Sequence, residues 1–484
     1  MPFRDLRDFV AFLETKGDLK RIQTEVTCDL EIAEITDRVT KSGGPALFFE
    51  NVAGHDVPVI TNLFGTEQRM CSALGVQRLH DLSGKLQKLL NLTQGAVPTS
   101  MMDKFKVLGD LAKIAGSAPK TVSKAPCQEV VLTGDSVSLD KFPVLKSWPD
   151  DAGRFITLPL VITRDPENGT RNVGMYRLQI YDQRTTGMHW HLHKIGRDHF
   201  RRSKAKGQRL EAAVAIGADP VTIYTATAPL PPVLDELFLA GFLRGEGVET
   251  VRCKTVNIEV PAHAEIVLEG YVDPSEERLE GPFGDHTGYY SLADNYPVFH
   301  ITCITHRAKP WYAATIVGKP PMEDVYLGKA TERLFLPLIR MIVPEVVEMN
   351  LPPEGVFQNL AIVSIDKQYP GQAKKVISAL WGMMQMALTK IIIVVDGTVD
   401  VHDLSEVLWR VSNNVDPRRD LVIAEGPLDD LDHSSPLPGF GSKLGIDATT
   451  KMPNEGHPRP WPADVVMSGD IRKLVDEKWS SYDI

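Results

Sequence analysis

The periodicity of this chain changes twice along its length, and that change limits the folds open to it. In the middle, segments 155–163, 172–182, 188–193, 212–216, 255–260, 264–272 and 298–306 read as strands by alternation or by β-branched content. One helix interrupts them, 233–244, with Leu237, Leu239, Ala240 and Leu243 facing a core. Many short strands with little helix predict a small barrel or sandwich. Past residue 320, strands at 360–365, 390–395 and 421–424 alternate with helices ending near 386 and spanning 404–415. Such alternation predicts parallel pairing and a doubly wound α/β layer.

Before the strand-rich centre lies mixed α/β patterning. Leu6, Phe9, Val10 and Leu13 share one helical face, and Gly17 stops it. A helix over 30–41, short strands at 46–50 and 57–62, and helical patterning over 66–92 follow, before a basic, less patterned stretch at 106–124. A chain of 484 residues exceeds what one core serves. The expected divisions are an N-terminal α/β domain (1–125), a central strand-rich domain (126–320), a C-terminal α/β domain (321–450) and a tail (451–484). The tail is expected to carry a short helix near 463–479 and to dock on a partner subunit.

A net charge of −10 without a basic cluster argues against a nucleic-acid surface. The apolar run 391–395 is far too short to span a bilayer. The start Met-Pro-Phe-Arg-Asp has no apolar signal segment, and five cysteines occur without a CxxC pair. Both point to a reducing, cytoplasmic setting.

The segment Glu280-Gly-Pro-Phe-Gly-Asp285-His-Thr-Gly-Tyr-Tyr290 sets two carboxylates five residues apart among residues that reject a helix and make a poor strand. A loop of fixed shape would let different surroundings drive the two acids to different pKa values, as acid–base chemistry needs. A solvated turn with two surface acids is the plainer reading. Arg177, in the strand 172–182, is either an anion clamp or a rim residue covering apolar neighbours with its stem. His189, His191 and His193 fall on one face if 188–193 is a strand. At roughly 3.3 Å per residue they spread too far to hold one ion together. Asp235 is expected to be exposed on its helix, and Glu236 to matter only if it turns inward to a cation. Asn, His and Glu together would suit manganese or magnesium. No GxGxxG follows a strand, and GxxxxGK[ST], GxSxG and HExxH are absent. The 439–445 stretch, with the wrong glycine spacing, reads as a loop.

Together these residues resemble the UbiD family of reversible aromatic and acrylic acid decarboxylases. The likeness is carried by Asn172-Val-Gly-Met-Tyr-Arg177, His189-Trp-His-Leu-His193, Gly217-Ala-Asp-Pro220, Glu236 to Arg244, Glu280 to Tyr290 and Gly318-Lys-Pro-Pro321. It extends to Asp5-Leu-Arg-Asp-Phe9, Gly44 to Glu50, Leu351 to Gly355 and Ser442 to Thr449, and so covers nearly the whole chain. It looks closest to the branch acting on 3-polyprenyl-4-hydroxybenzoate in quinone biosynthesis.

The resemblance implies a split β-barrel (flavin-reductase-like) in the centre, prenylated FMN, Mn2+ or Mg2+ at the cofactor phosphate, and K+ nearby. It implies Asn172, His193 and Glu236 as metal ligands. Met175, Tyr176, Arg177, His189, Trp190, His191, Lys194 and Ile195 fall where the family contacts the cofactor. Arg177, Glu280 and Asp285 match its catalytic network, with Asp where some members carry Glu. A flavin prenyltransferase would supply the cofactor, and a homo-oligomer, a dimer or hexamer, is expected. A polyprenylated substrate would bring the protein to a membrane surface. The histidine-rich stretch departs from the ubiquinone-branch pattern and leaves a naphthoate of the menaquinone pathway or a simple phenolic acid as alternatives. A non-catalytic flavin-binding protein would not need Glu280 and Asp285. A metal-dependent hydrolase would act without flavin. If Asp285 is the proton donor, burial should raise its pKa while Glu280, paired with Arg177, stays ionised.

Overall fold

The computed structural model describes residues 3–93, 114–231 and 234–484. The predicted helix start at Val233 and the first part of the basic 106–124 stretch lie outside them. Leu6, Phe9, Val10 and Leu13 are buried on the helix Leu6–Thr15, started by Asp5 as N-cap. Helical patterning over 66–92 resolves into two helices, Glu67–Leu74 and Asp81–Thr93, because Gly75 turns left-handed at φ 61° between them. Strands Leu19–Ile22, Ala46–Phe49 and Val59–Thr61 form a sheet whose fourth strand, Tyr312–Ala313, arrives from far down the chain. One continuous apolar core runs from Leu6 through the central strands to Leu334.

The central sheet has seven strands, paired antiparallel. Its order is Thr185–Gly187, Asp294–His306, Ile266–Glu280, Leu210–Ile216, Pro159–Arg164 and Arg171–Gly174, with Val130–Thr133 also on Asp294–His306. Among the described residues the pairing does not close into a ring. Among the described residues three helices interrupt it rather than one: Ile195–Ala205, Pro220–Thr225 and Glu236–Arg244.

The C-terminal sheet runs Val346–Asn350, Leu360–Ile365, Ile391–Asp396, Phe440–Asp447 and Leu421–Pro427, with the middle three strands parallel and both edges antiparallel. Apolar layers cover both faces of it, with Val376, Ile377 and Leu380 on one and Val399, Val401 and Val407 on the other. Most of the 439–445 stretch is therefore strand and not loop: from Phe440 it pairs with Leu421–Pro427, and from Leu444 also with Ile391–Asp396. A 20-residue helix, Glu323–Ile342, joins the two parts despite Pro337 within it. The tail helix is Gly469–Lys478, shorter than expected, and buries none of its residues. The whole is a mixed α/β molecule of several sheets. No helix among the described residues is long and apolar enough to cross a membrane.

Candidate active site

Glu280 is the last residue of the long strand Ile266–Glu280, not a loop residue, and its side chain is sealed from solvent. The chain then turns back. Gly281 N donates to Gln179 Oε1 at 2.8 Å, Gly284 N to Asp151 Oδ1 at 2.7 Å, and Gly288 N to Asp285 O at 2.9 Å. Gly288 sits at φ +80°, where a side chain would be strained. Trp148, held by its Nε1–H bond to Val317 O at 2.8 Å, packs against both Gly284 and Gly318. The loop thus has the fixed shape that its composition predicts, with Asp285 buried on it.

Arg177 joins the two acids. Its Nε donates to Glu280 Oε1 at 3.0 Å and its NH2 to Glu280 Oε2 at 3.4 Å and Ser291 Oγ at 3.0 Å, while NH1 donates to Asp285 Oδ2. Phe283 lies under the guanidinium carbon at 4.7 Å. With these bonds made, a single N–H of NH1 is left for an incoming anion. On its other side Glu280 Oε2 lies 2.5 Å from His189 Nδ1. An ionised carboxylate only accepts, so the proton is on Nδ1. His189 Nε2 in turn lies 2.6 Å from His191 Nε2. Burial lowers both imidazole pKa values, His191's the further because His189 stands beside it.

Burial acts upward on Glu280, but the bonds from His189 and Arg177 outweigh it and hold the carboxyl below its usual range. The same holds more strongly at Asp285. Burial alone would raise it, yet Arg177 and His286 keep it ionised far below the ordinary carboxylate range. The expected rise at Asp285 is thus overturned, because one guanidinium serves both acids and a second cation stands behind Asp285.

That second cation, His286, has no signal in the sequence that sets it apart from its loop. Its Nδ1 is 2.8 Å from Asp285 Oδ1, and its backbone N donates to the same oxygen at 2.7 Å. Burial opposes its charge, but the Asp285 bond and the charges of Asp285, Asp324 and Asp429 raise its pKa to about 9.

The histidine stretch is not a strand. After Thr185–Gly187 the chain runs irregularly to the helix Ile195–Ala205, because the His189 ring is drawn in to Glu280. His189 is buried, His191 half-buried, and His193 exposed on the turn. Trp190 is buried edge-on to Tyr176, its Nε1 without a partner among the described residues, and Gly196 passes so close that a Cβ there would lie 2.6 Å from that nitrogen. Lys194 and Ile195 are half-buried at the start of the helix. Met175 N donates to Ala226 O at 2.9 Å.

Asn172 and Glu236 come together. Both are buried, and Glu236 Oε2 accepts from Val173 N at 2.9 Å. Asp235 caps the helix Glu236–Arg244 with its side chain and is only half-exposed, paired with Arg171. Burial pushes the Glu236 carboxyl up to about 7. Among the described residues no three His, Cys, Asp or Glu side chains converge as a metal site.

The C-terminal part reaches over this centre. Leu192 N donates to Asp430 Oδ2 at 3.3 Å, His433 meets the Tyr289 ring at 4.1 Å, and Phe357 stacks on His286 at 5.4 Å and 16°. Val356 and Phe357 are both left-handed, at φ 44° and 47°.

Three family models match the chain in sequence order. They are the 3-octaprenyl-4-hydroxybenzoate carboxy-lyase N-terminal domain over 10–87, its Rift-related domain over 120–320 and its C-terminal domain over 325–448. An uncharacterized protein of Archaeoglobus fulgidus is 55% identical over 482 residues, 99% of this chain and 98% of its own. The closed form of Sedimentibacter hydroxybenzoicus vanillic acid decarboxylase has a TM-score of 0.87 at 30% identity, covering 100% of this chain and 99% of that one. The UbiD-class enzyme HmfF of Pelotomaculum thermopropionicum, in complex with FMN, has a TM-score of 0.79 at 33% identity, covering 98% and 99%. An evolved dimeric form of HmfF in complex with prFMN gives 0.78 at 32%, with the same coverage.

Proposed function

We propose, for a chain that belongs to the UbiD family of carboxy-lyases, that it decarboxylates an aromatic acid with prenylated FMN as cofactor. The observation that carries this reading is the shared guanidinium: Arg177 bridges Glu280 and Asp285 in a buried site, with His189 behind Glu280. The structural neighbours that bind FMN and prFMN support the cofactor. A split-barrel reading of the central sheet accords with it.

Loss of CO2 from an sp2 carbon leaves an electron pair that side chains stabilise poorly, and prenylated FMN supplies the sink for it. Arg177 orients the substrate carboxylate with its remaining N–H while Glu280 fixes the guanidinium plane. His189, tethered by Glu280, presents a rigid wall with Trp190 and His191. Met175, Tyr176, Lys194 and Ile195 complete the cofactor surroundings. Asp285 delivers the proton to the carbon that loses CO2.

Asn172, Glu236 and His193 would hold Mn2+ or Mg2+ at the cofactor phosphate, with K+ nearby. The donor set fits: burial at Glu236 outweighs the Val173 N–H bond and the Arg171 charge, and a divalent ion beside it would restore its charged form.

The family-model descriptions support 3-polyprenyl-4-hydroxybenzoate as substrate, with the protein meeting its tail at a membrane surface. The vanillic acid decarboxylase neighbour favours a second reading, a simple phenolic acid. The exposed apolar Ile471, Leu474 and Trp479 of the tail support a homo-oligomer.

The test is co-expression with a flavin prenyltransferase, mass spectrometry of the bound cofactor, and CO2 release from a panel of hydroxybenzoates and naphthoates. Release should require the prenyltransferase, and Glu236→Ala and His193→Ala should purify without flavin absorbance. Hydrolytic activity in flavin-free protein, or no release from any acid in the panel, would reject the reading.

A further inference from the structure

We propose that the proton delivered to product is stored on His286 and passes to the substrate through Asp285, with Asp324 keeping the imidazole charged. This rests on the reading of Asp285 as donor. The difficulty it resolves is geometric. Both Asp285 oxygens accept from protein cations, Oδ2 from Arg177 and Oδ1 from His286 Nδ1 at 2.8 Å, so the resting donor carries no proton of its own.

His286 is built to carry it. Its ring is pinned flat on Phe357, so Nδ1 stays aimed at Asp285. Among the described residues its buried Nε2 has no partner, and neither has the buried Oδ2 of Asp324, the second residue of the helix Glu323–Ile342. The neighbouring Glu323 is spoken for: it accepts from Phe64 N at 2.7 Å and Thr315 Oγ1 at 2.8 Å. Asp324 takes a backbone bond from Val325, and burial pushes its carboxyl up to about 7 against the pull of the His286 charge, so it is ionised above that pH. The charged groups acting on His286 are Asp285, Asp324 and Asp429, and those acting on Asp285 include Arg177. A histidine that only filled space would not need a buried, unpartnered ring nitrogen together with an acid whose buried, unpartnered oxygen belongs to a charge acting on the ring.

In each turnover the His286 Nδ1–H bond breaks and an Asp285 Oδ1–H bond forms, leaving a neutral imidazole and a neutral carboxyl. The Asp285 O–H bond then breaks as the product C–H bond forms. One solvent proton returns to His286 Nδ1 after product leaves. The balance is one proton consumed for each CO2 released from a carboxylate.

The experiment uses the cofactor-loaded enzyme and His286→Asn, whose amide still donates to Asp285 Oδ1, with Asp324→Asn as a second variant. General acid–base catalysis sets the scale: kcat of His286→Asn at pH 7 should fall by ~10²-fold with flavin content unchanged. In wild type kcat should hold up to about pH 9 and fall above it, the limit set by the imidazolium. Asp324→Asn should move that limb to lower pH. NMR of histidine-labelled, cofactor-free protein should show the His286 ring protonated at pH 7, and neutral in Asp285→Asn. A neutral ring in wild type, a kcat for His286→Asn within twofold of wild type, or an unmoved limb in Asp324→Asn overturns the proposal. If Asp285→Asn is inactive while His286→Asn is normal, only this proposal falls. If Asp285→Asn itself turns over normally, the reading of Asp285 as donor fails with it.

Discussion

The Glu280 carboxylate meets the Arg177 guanidinium through two hydrogen bonds, at 3.0 and 3.4 Å, with side-chain exposures of 0% and 7%. A pair so dry depends on both members. Arg177→Ala would strand two buried carboxylates, and breaking a buried pair typically costs about 3–5 kcal/mol. Arg177→Lys keeps the charge but loses the fork that serves both acids. Urea unfolding should place the Ala variant lower by that amount. CO2-release assays should find the Lys variant folded, cofactor-loaded and at least ~10²-fold slower. A lysine variant with near-normal turnover would mean that the bridging geometry is dispensable.

The Asp285–His286 pair ties stability to pH. The imidazole pKa is raised from 6.5 to about 9 on folding, so its contribution is fully present below about 6.5 and is lost as pH rises through about 9. The upper bound is on the order of 3 kcal/mol. Asp285, lowered on folding, acts in the opposite sense: its contribution is present above its ordinary pKa of 3.8 and is lost as pH falls further. The difference in unfolding free energy between wild type and His286→Asn should therefore shrink between pH 6.5 and 9. A pH-independent difference would show that the ring is not charged in the folded protein.

Much of this was legible from residue pattern. The buried face of Leu6–Thr15 follows helical spacing, and the parallel strands Leu360–Ile365 and Ile391–Asp396 announce themselves by apolar runs. The fixed shape of 281–288 is written in its glycines and proline. Other parts depend on distant partners. The alternation at 188–193 looks like a strand, but a single bond from His189 to Glu280 pulls it out of any ladder. Phe440–Asp447 becomes a strand only because Ile391–Asp396 and Leu421–Pro427 flank it. The helix Glu323–Ile342 is disguised by Pro337. His286 stands beside Asp285 in the chain, yet nothing local says that the carboxylate turns back onto its neighbour's ring and amide.

Trp148 gives a test of the loop that is independent of charge. It fills the space that Gly284 and Gly318 leave open, and a Cβ at Gly284 would lie inside contact distance of its ring. Gly284→Ala should therefore cost about 1–3 kcal/mol as an overpacked site. It should also lower turnover by displacing Asp285 one residue away, while flavin binding, proposed above to rest on other segments, persists. Thermal melts and flavin absorbance check this, and a variant as stable and active as wild type would show the loop to be plastic.

The last prediction concerns the contacts between the C-terminal part and the site. Asp430 accepts from Leu192 N at 3.3 Å and stands 4.0 Å from His191 Nδ1, while His433 lies against Tyr289 at 4.1 Å. These are few and partly exposed, each worth about 0–1 kcal/mol. Contacts this weak can hold the C-terminal part over the site without locking it, which suits a site that must admit substrate and then exclude water. Removing both side chains in Asp430→Ala/His433→Ala should shift the balance toward an open arrangement by about 1.4 kcal/mol, or tenfold. Small-angle scattering should then record a larger radius of gyration. KM should rise several-fold, with kcat changed less, because Arg177, Glu280 and Asp285 are untouched. Unchanged scattering together with an unchanged KM would mean that Phe357 on His286 and the apolar packing around it suffice to keep the two parts together.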